Sequence, residues 1–336
     1  MYVIYHRIDL DGWCSAAIMK KHCELTNQKI TLMPYNYGDP LALFPEIGET
    51  VVIVDISLDI KAMIALADKH RVIWIDHHKS AIRAYEDAKA EFDACPDLDR
   101  KWTHNLETVF PAIIAGPGDS GYEATNEGRE KVAACELTWR RFMDTDAVPD
   151  AVRLLSTYDA WHNADLHLWE SHVMPLQYAL RDIVTGPDSF PMVLLAKRKA
   201  SICTSDWPAM NLATELVEKG RQFYGYQKNL DRQAIDQYCF RGRFEGQDML
   251  FLNTPFRGSP QFRSVMQPAD IMCVYCWDAK AHMFNVSFYT ENPEIDCSHI
   301  AKLFGGGGHR GAAGCRLTWT EMGRLLKAPM PQQVAS

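Results

Sequence analysis

The chain has 336 residues, 47% of them hydrophobic and 23% charged, with a formal net charge of -8. That length admits two domains with cores of their own, and the composition excludes a disordered chain. The acidic balance argues against a protein that coats long nucleic acid through a general positive field, and no apolar run reaches the ~20 residues of a membrane span.

The first elements alternate. Met1 to Tyr5 reads as a strand, Trp13 to Cys23 as a helix, and a short strand is expected near Ile30 to Met33. Val51–Val54 and Val72–Ile75 are apolar runs of strand length, with a helical stretch from about Leu58 to His70 between them. Strands alternating with helices predict a parallel sheet with helices on both faces. Each strand run is followed by acids or imidazoles: His6, Asp9 and Asp11 after the first, Asp55 after the second, and Asp76-His77-His78 after the third. Asp159 follows the run Val152 to Leu155 and is read in the same setting. Carboxylates and imidazoles at the carboxyl edge of a parallel sheet converge where such sheets bind ligands. The competing reading for Asp9 and Asp11 is an acidic cap on the helix that begins near Gly12, since Asp is a favoured N-cap residue.

Residues 84–130 are rich in turn formers and form an unusually long connection. Leaving directly from the His-His pair, they suit either a lid over the site or a surface excursion. Glu130 to Phe142 is helical in pattern, and Asn211 to Tyr238 reads as one long helix between domains. Strands are expected at Met249–Leu252, Ile271–Tyr275 and Met283–Phe288, and a helix from Asp296 to Phe304. That helix ends at Gly305-Gly306-Gly307-Gly308-His309-Arg310. Taken alone the glycine run is a flexible turn, but its backbone N–H groups could also cradle an anion. Residues 328–336 read as a frayed tail.

Charge is uneven. Residues 239–336 carry 10 basic and 8 acidic side chains, so the acidic excess lies in the part that holds the Asp and His cluster. Ten cysteines are scattered through the chain with no export signal before them, which predicts a reduced, cytoplasmic setting. Trp161, two residues after Asp159, is read as core packing, with base stacking as the alternative.

The motifs together resemble the DHH phosphoesterase superfamily, whose name is the tripeptide Asp76-His77-His78. Its other signatures have counterparts in His6 to Gly12, Val54-Asp55 and Tyr158-Asp159-Ala160-Trp161, and the glycine run with Ala312-Ala313-Gly314 is similar to the superfamily's associated C-terminal domain. Two departures stand out. His6 and Asp9 are one residue closer than in many members, and Val286 to Thr290 lacks an Arg that many carry before the glycine run. Arg257, Arg263 or Arg310 would then supply that charge.

The resemblance implies an α/β fold: a DHH catalytic domain over residues 1–190, a helical linker over 191–238, and a smaller α/β substrate-binding domain over 239–327 across a cleft. It implies two divalent metal ions, with manganese favoured by the mixed Asp and His set. His6 and Asp9 would hold one ion, Asp11, His77 and Asp159 the other, and Asp55 would bridge them. Asp76 would fix His77 by a hydrogen bond, and His78 would face the substrate phosphate. Gly306, Gly307, Gly308, His309, Arg310 and Arg257 would contact the nucleotide.

The implied activity is hydrolysis of short nucleotides, such as linear dinucleotides, nanoRNA or cyclic dinucleotides, by a metal-activated hydroxide. A phosphomonoesterase acting on 3′-phosphoadenosine 5′-phosphate and a RecJ-type single-strand exonuclease would use the same ligands. A nucleotide sensor without catalysis would be expected to lack some of them. The partner is a short nucleotide or oligonucleotide rather than a membrane, and a homodimer is compatible with the sequence.

Overall fold

A computed structural model describes residues 1–40, 47–93, 105–112, 130–143, 147–195, 207–255, 258–262, 265–267, 271–292, 294–308, 310–326 and 332–333. The chain divides into two compact units, Met1–Tyr224 and Gly225–Ser336. The expected α/β architecture is present in both.

The first unit is built on five strands: β1 (Tyr2–His6), β2 (Thr31–Tyr35), β3 (Thr50–Val54), β4 (Arg71–Ile75) and β5 (Leu106–Val109). All pairings are parallel, in the order β2-β1-β3-β4-β5. Alternate residues of a strand point to opposite faces, and the sequence uses both. Ile4, Val51, Ile53, Val72 and Trp74 pack with Met63 and Leu66 of α2 (Ile60–Ala67) and Tyr85 of α3 (Lys79–Asp93). Val3, Val52, Val54, Ile73 and Ile75 pack on the other face with Ala16 and Met19 of α1 (Leu10–Leu25) and Leu137 of α4 (Ala134–Phe142). Burial on both faces is why these runs are continuous in Val and Ile rather than alternating with polar residues. After β1 the chain moves to one side to form β2, then crosses back to build β3, β4 and β5 on the other. The strand order therefore reverses between β1 and β3, and the carboxyl ends flanking such a point form a crevice.

Beyond α1 and α4 lies a helical layer: α5 (Asp150–Asp159), α6 (Leu166–Leu168), a π-helical turn (Trp169–Val173) and α7 (Met174–Ile183). The long α8 (Trp207–Tyr238) brings Leu216 and Val217 into the same core. Its Gly220 sits so close to α7 that an added Cβ would fall 1.8 Å from the Pro175 carbonyl oxygen. The division between units falls inside α8.

The second unit holds a seven-stranded mixed sheet. Its strands are β6 (Cys239–Phe244), β7 (Gln247–Asn253), β8 (Ile271–Asp278), β9 (Met283–Tyr289), β10 (Gly307–Gly308), β11 (Ala312–Leu317) and β12 (Gln332–Gln333), in the order β10-β11-β9-β8-β7-β6-β12. Only β7 and β8 run parallel. Helices α9 (Cys297–Lys302) and α10 (Trp319–Leu326) pack on it through Ile300, Ala301, Met322 and Leu325.

Four expectations are corrected. Val152 to Leu155 is helical, so Asp159 arrives at a helix end rather than a strand end; a four-residue apolar run fits either period. Part of 84–130 is regular, since α3 continues to Asp93 and β5 joins the sheet edge; residues 94–104 and 113–129 lie outside the described part. The tail is partly paired, with Gln332 and Gln333 opposite Arg241 and Phe240 on an otherwise open edge. Trp161 is 39% exposed, not core. Among the described residues no helix is long and apolar enough to cross a membrane.

Candidate metal centre

Three consecutive strand ends and one helix end deliver the site. His6 closes β1, Asp55 follows β3 and Asp76-His77-His78 follow β4, while Asp159 ends α5. Gly12 allows the tight entry into α1: a Cβ there would sit 2.1 Å from the His6 carbonyl oxygen. Asp55 has φ +60°, a left-handed backbone uncommon for residues other than Gly, Asn and Asp.

The ligand atoms fall into two groups that share one residue. Those of His6, Asp9 and Asp55 lie within 4.8 Å of one another, as do those of Asp11, Asp55, His77 and Asp159. Asp55 divides its oxygens between them. Its Oδ2 is 3.4 Å from His6 Nδ1, and its Oδ1 is 3.5 Å from His77 Nε2. Around these, His6 Nδ1 lies 2.5 Å from Asp9 Oδ2, and His77 Nε2 lies 3.0 Å from Asp159 Oδ2 and 3.7 Å from Asp11 Oδ2. Asp55 is 1% exposed and no hydrogen-bond donor serves either of its oxygens. Buried carboxylates are expected to be paired or metal-bound. Hard oxygens with two imidazoles suit a divalent transition ion, so the residues present fit a pair of such ions.

Charge balance without metal points the same way. Burial opposes a proton on His6, but the carboxylates of Asp55 and Asp9 beside it prevail and carry its pKa to about 10. His77 is likewise raised well above the ordinary histidine value, burial being outweighed by Asp159 and Asp55. Burial pushes Asp55 up to about 6, against the pull of both histidines. Asp11 is raised by burial and then by its neighbours Asp55 and Asp159. Four acidic side chains are thus gathered around two imidazoles whose protonated forms they favour.

Capping and ligation turn out not to compete. Asp9 is the N-cap of α1, and its Oδ1 accepts the Gly12 N–H at 2.9 Å while Oδ2 faces His6. We predict that Asp9→Asn keeps the cap and the melting temperature but weakens metal binding, whereas Asp9→Ala also loses ~1 kcal/mol of stability. Thermal melts in chelator beside a metal titration separate the two. Asp11 caps a different helix: its two oxygens accept the Ala134 and Cys135 N–H groups at 2.9 and 2.8 Å, and Ser156 Oγ accepts that of Ala133. Position Ala133 offers α4 no side-chain cap of its own. Nothing in the sequence near Asp11 signals this contact across more than 120 residues.

Asp76 holds a different ring from the one expected. Its Oδ1 accepts the backbone N–H groups of His77 and His78 at 2.7 and 3.0 Å, and lies 2.7 Å from His78 Nδ1. The chain turns after β4 so that His78 folds back over Asp76 while His77 Nε2 points to Asp159. Asp76 therefore orients the His78 ring, and burial of its charge is outweighed by His78, which keeps it below the usual carboxylate range. His78 also offers a ring nitrogen within 4.8 Å of Asp55 and His77 ligand atoms, so it is placed to serve either a metal or a bound phosphate. Asp76→Asn is predicted to weaken metal binding by ~10–100-fold, the range typical of partners that orient metal-site histidines, with unchanged near-ultraviolet circular dichroism.

The glycine run belongs to the second unit. Gly307 and Gly308 pair with Gly314 and Ala313 of β11. A Cβ on Gly306 would meet the Gly314 carbonyl oxygen at 2.2 Å, and one on Gly308 would meet Ala313 Cα at 2.6 Å. Backbone-to-backbone packing requires glycine at these two positions. Gly307 faces open space. Arg310 is exposed, with Nε donating to the Ile295 carbonyl at 3.3 Å. His309, Arg257 and Arg263 lie outside the described residues.

No protein-family model matches the sequence, and no curated protein does. Similar solved structures include a pGpG-specific phosphodiesterase, PggH, from Vibrio cholerae, at 13% identity and TM-score 0.46 over 97% of both chains. RecJ in complex with Mn2+ from Thermus thermophilus is similar at 14% identity and TM-score 0.45, over 95% of this chain and 49% of that one. An exopolyphosphatase-related protein from Bacteroides fragilis is similar at 12% identity and TM-score 0.40, over 94% and 85%.

Proposed function

We propose that this chain is a DHH-type phosphodiesterase that uses two divalent ions, manganese foremost, to hydrolyse short nucleotides. The observation that carries this reading is Asp55: buried, served by no donor, and turned so that each oxygen faces a different imidazole. A single structural ion would not need a carboxylate shared between two ligand groups. When bound, two ions would stabilise charge on a phosphoryl oxygen and lower the pKa of a coordinated water.

The chain's own residues divide the remaining work. His6 and Asp9 would hold one ion, and Asp11, His77 and Asp159 the other. Asp11 stays fixed because α4 donates two N–H groups to it. His78, its ring set by Asp76, would contact the substrate phosphate. Gly307 and Arg310 are our candidates for anion contacts in the second unit. The acidic net charge favours short substrates over long strands.

The test is a manganese assay on a linear dinucleotide, a cyclic dinucleotide, a 20-mer, 3′-phosphoadenosine 5′-phosphate and pyrophosphate, with His77→Ala as control. Dinucleotide turnover that disappears in the variant is expected. Preference for the 20-mer would overturn the short-substrate reading, and binding without turnover would favour a sensor.

A further inference from the structure

Trp161 occupies a position that helix geometry reserves for another residue type. Helix α5 ends with Asp159, and Ala160 is its C-cap. The next two residues close the helix in the paired pattern of a Schellman motif: the Trp161 N–H bonds to the Tyr158 carbonyl at 3.1 Å, and the His162 N–H to the Thr157 carbonyl at 2.9 Å. The residue at that first position must be left-handed, and Trp161 has φ +52°. Glycine is the usual occupant because it bears no Cβ. A bulky residue there is a backbone outlier, and such outliers cluster at functional sites.

Packing covers the indole only in part. Trp161 is 39% exposed. It meets Trp169 edge-on, with centroids 5.3 Å apart. Trp169 is itself fixed: it is 1% exposed and stacks on Tyr158 at 5.7 Å and 12°, and the Arg181 guanidinium lies 5.3 Å from the Tyr158 ring centroid. The indole is thus held in place from beneath, only two residues from Asp159, whose carboxylate lies 3.0 Å from His77.

From this geometry we infer that Trp161 is a stacking platform for a nucleobase of the substrate, on the side of the centre where Asp159 stands. The inference rests on the phosphodiesterase reading and narrows it: the substrate carries a base next to the scissile phosphate, and the base is recognised by its π-face rather than its edge. Base–aromatic stacking of this kind is worth ~1–3 kcal/mol, or roughly 5- to 150-fold in affinity, and tolerates any base.

The test compares a linear dinucleotide with its doubly abasic analogue carrying the same phosphates, using manganese-loaded full-length protein. Binding is followed by calorimetry and hydrolysis by KM and kcat. Wild type is expected to prefer the base-bearing ligand at least ~5-fold. Trp161→Gly should erase that preference through Kd and KM and leave turnover of the abasic analogue unchanged, with the fold retained by circular dichroism because glycine suits the left-handed position. Trp161→Phe should retain most of the preference. An undiminished preference in Trp161→Gly overturns the platform while the phosphodiesterase reading stands, and equal treatment of both ligands by wild type does the same. If wild type neither binds nor cleaves either ligand, the phosphodiesterase reading fails and the platform falls with it.

Discussion

Asp55→Asn is expected to abolish hydrolysis, by ~10³-fold or more, and yet to stabilise the metal-free protein. The first effect follows from the shared position of Asp55. Each oxygen faces a different ligand group, so a neutral amide weakens both sites together, and metal contributions of several kcal/mol correspond to that loss. Asparagine also tolerates the left-handed backbone at this position, so the variant should fold without the strain that alanine would add.

The second effect follows from burial. A carboxylate whose pKa is lifted to about 6 is disfavoured in its charged form. The cost is absent below the ordinary carboxylate pKa, appears as pH rises toward 6, and is complete above it, reaching about 3 kcal/mol at ~1.4 kcal/mol per pKa unit. Asparagine removes it. In chelator at neutral pH, Asp55→Asn should therefore melt above wild type. With manganese the order should reverse, because only wild type gains the linkage stabilisation of a bound ligand. Calorimetric melts of both proteins, with and without metal, read this directly. A variant that melts below wild type in chelator would contradict the assigned burial cost.

Metal binding should release protons. In the metal-free protein the neighbouring carboxylates favour the cationic forms of His6, with its pKa at about 10, and of His77, whose pKa is also raised. A raised histidine stabilises the fold fully below its unfolded pKa, and that stabilisation is lost as pH rises through the folded value. Below that value an incoming ion must displace the proton, since only neutral imidazole ligates. Apparent affinity for each ion is then expected to rise roughly tenfold per pH unit across the neutral range. Titration calorimetry in two buffers of different ionisation enthalpy should report net proton release on metal binding. Metal affinity independent of pH would show that these histidines are neutral before the metal arrives.

Much of the site was legible because strand chemistry is local. A buried parallel strand must be apolar on both faces, so Val51–Val54 and Val72–Ile75 announce themselves, and the first polar residues after them mark the sheet's carboxyl edge. His6, Asp55 and His77 follow from that logic. Asp159 was reached by a faulty version of it, since Val152–Leu155 proved helical. A carboxylate at a helix C-terminus opposes the helix dipole, and the nearby His77 is the compensation that sequence alone does not display.

What stayed hidden depends on contacts distant in sequence or on backbone conformation. Asp11 capping α4 joins residues more than 120 apart. The glycines at 306 and 308 became understandable only from the proximity of β11. Asp76 holding His78 instead of His77 is set by how the chain turns after β4. Trp161 is left-handed at the end of α5 and partly exposed, neither of which its sequence neighbours signal.

The most direct test of the central claim is the rate at which the full chain cleaves a linear dinucleotide with manganese present and after its removal by chelator. The account predicts release of mononucleotides that stops on chelation and resumes when manganese is restored. Cleavage that continues undiminished in chelator, or a dinucleotide that is bound and left intact with manganese in excess, would contradict it.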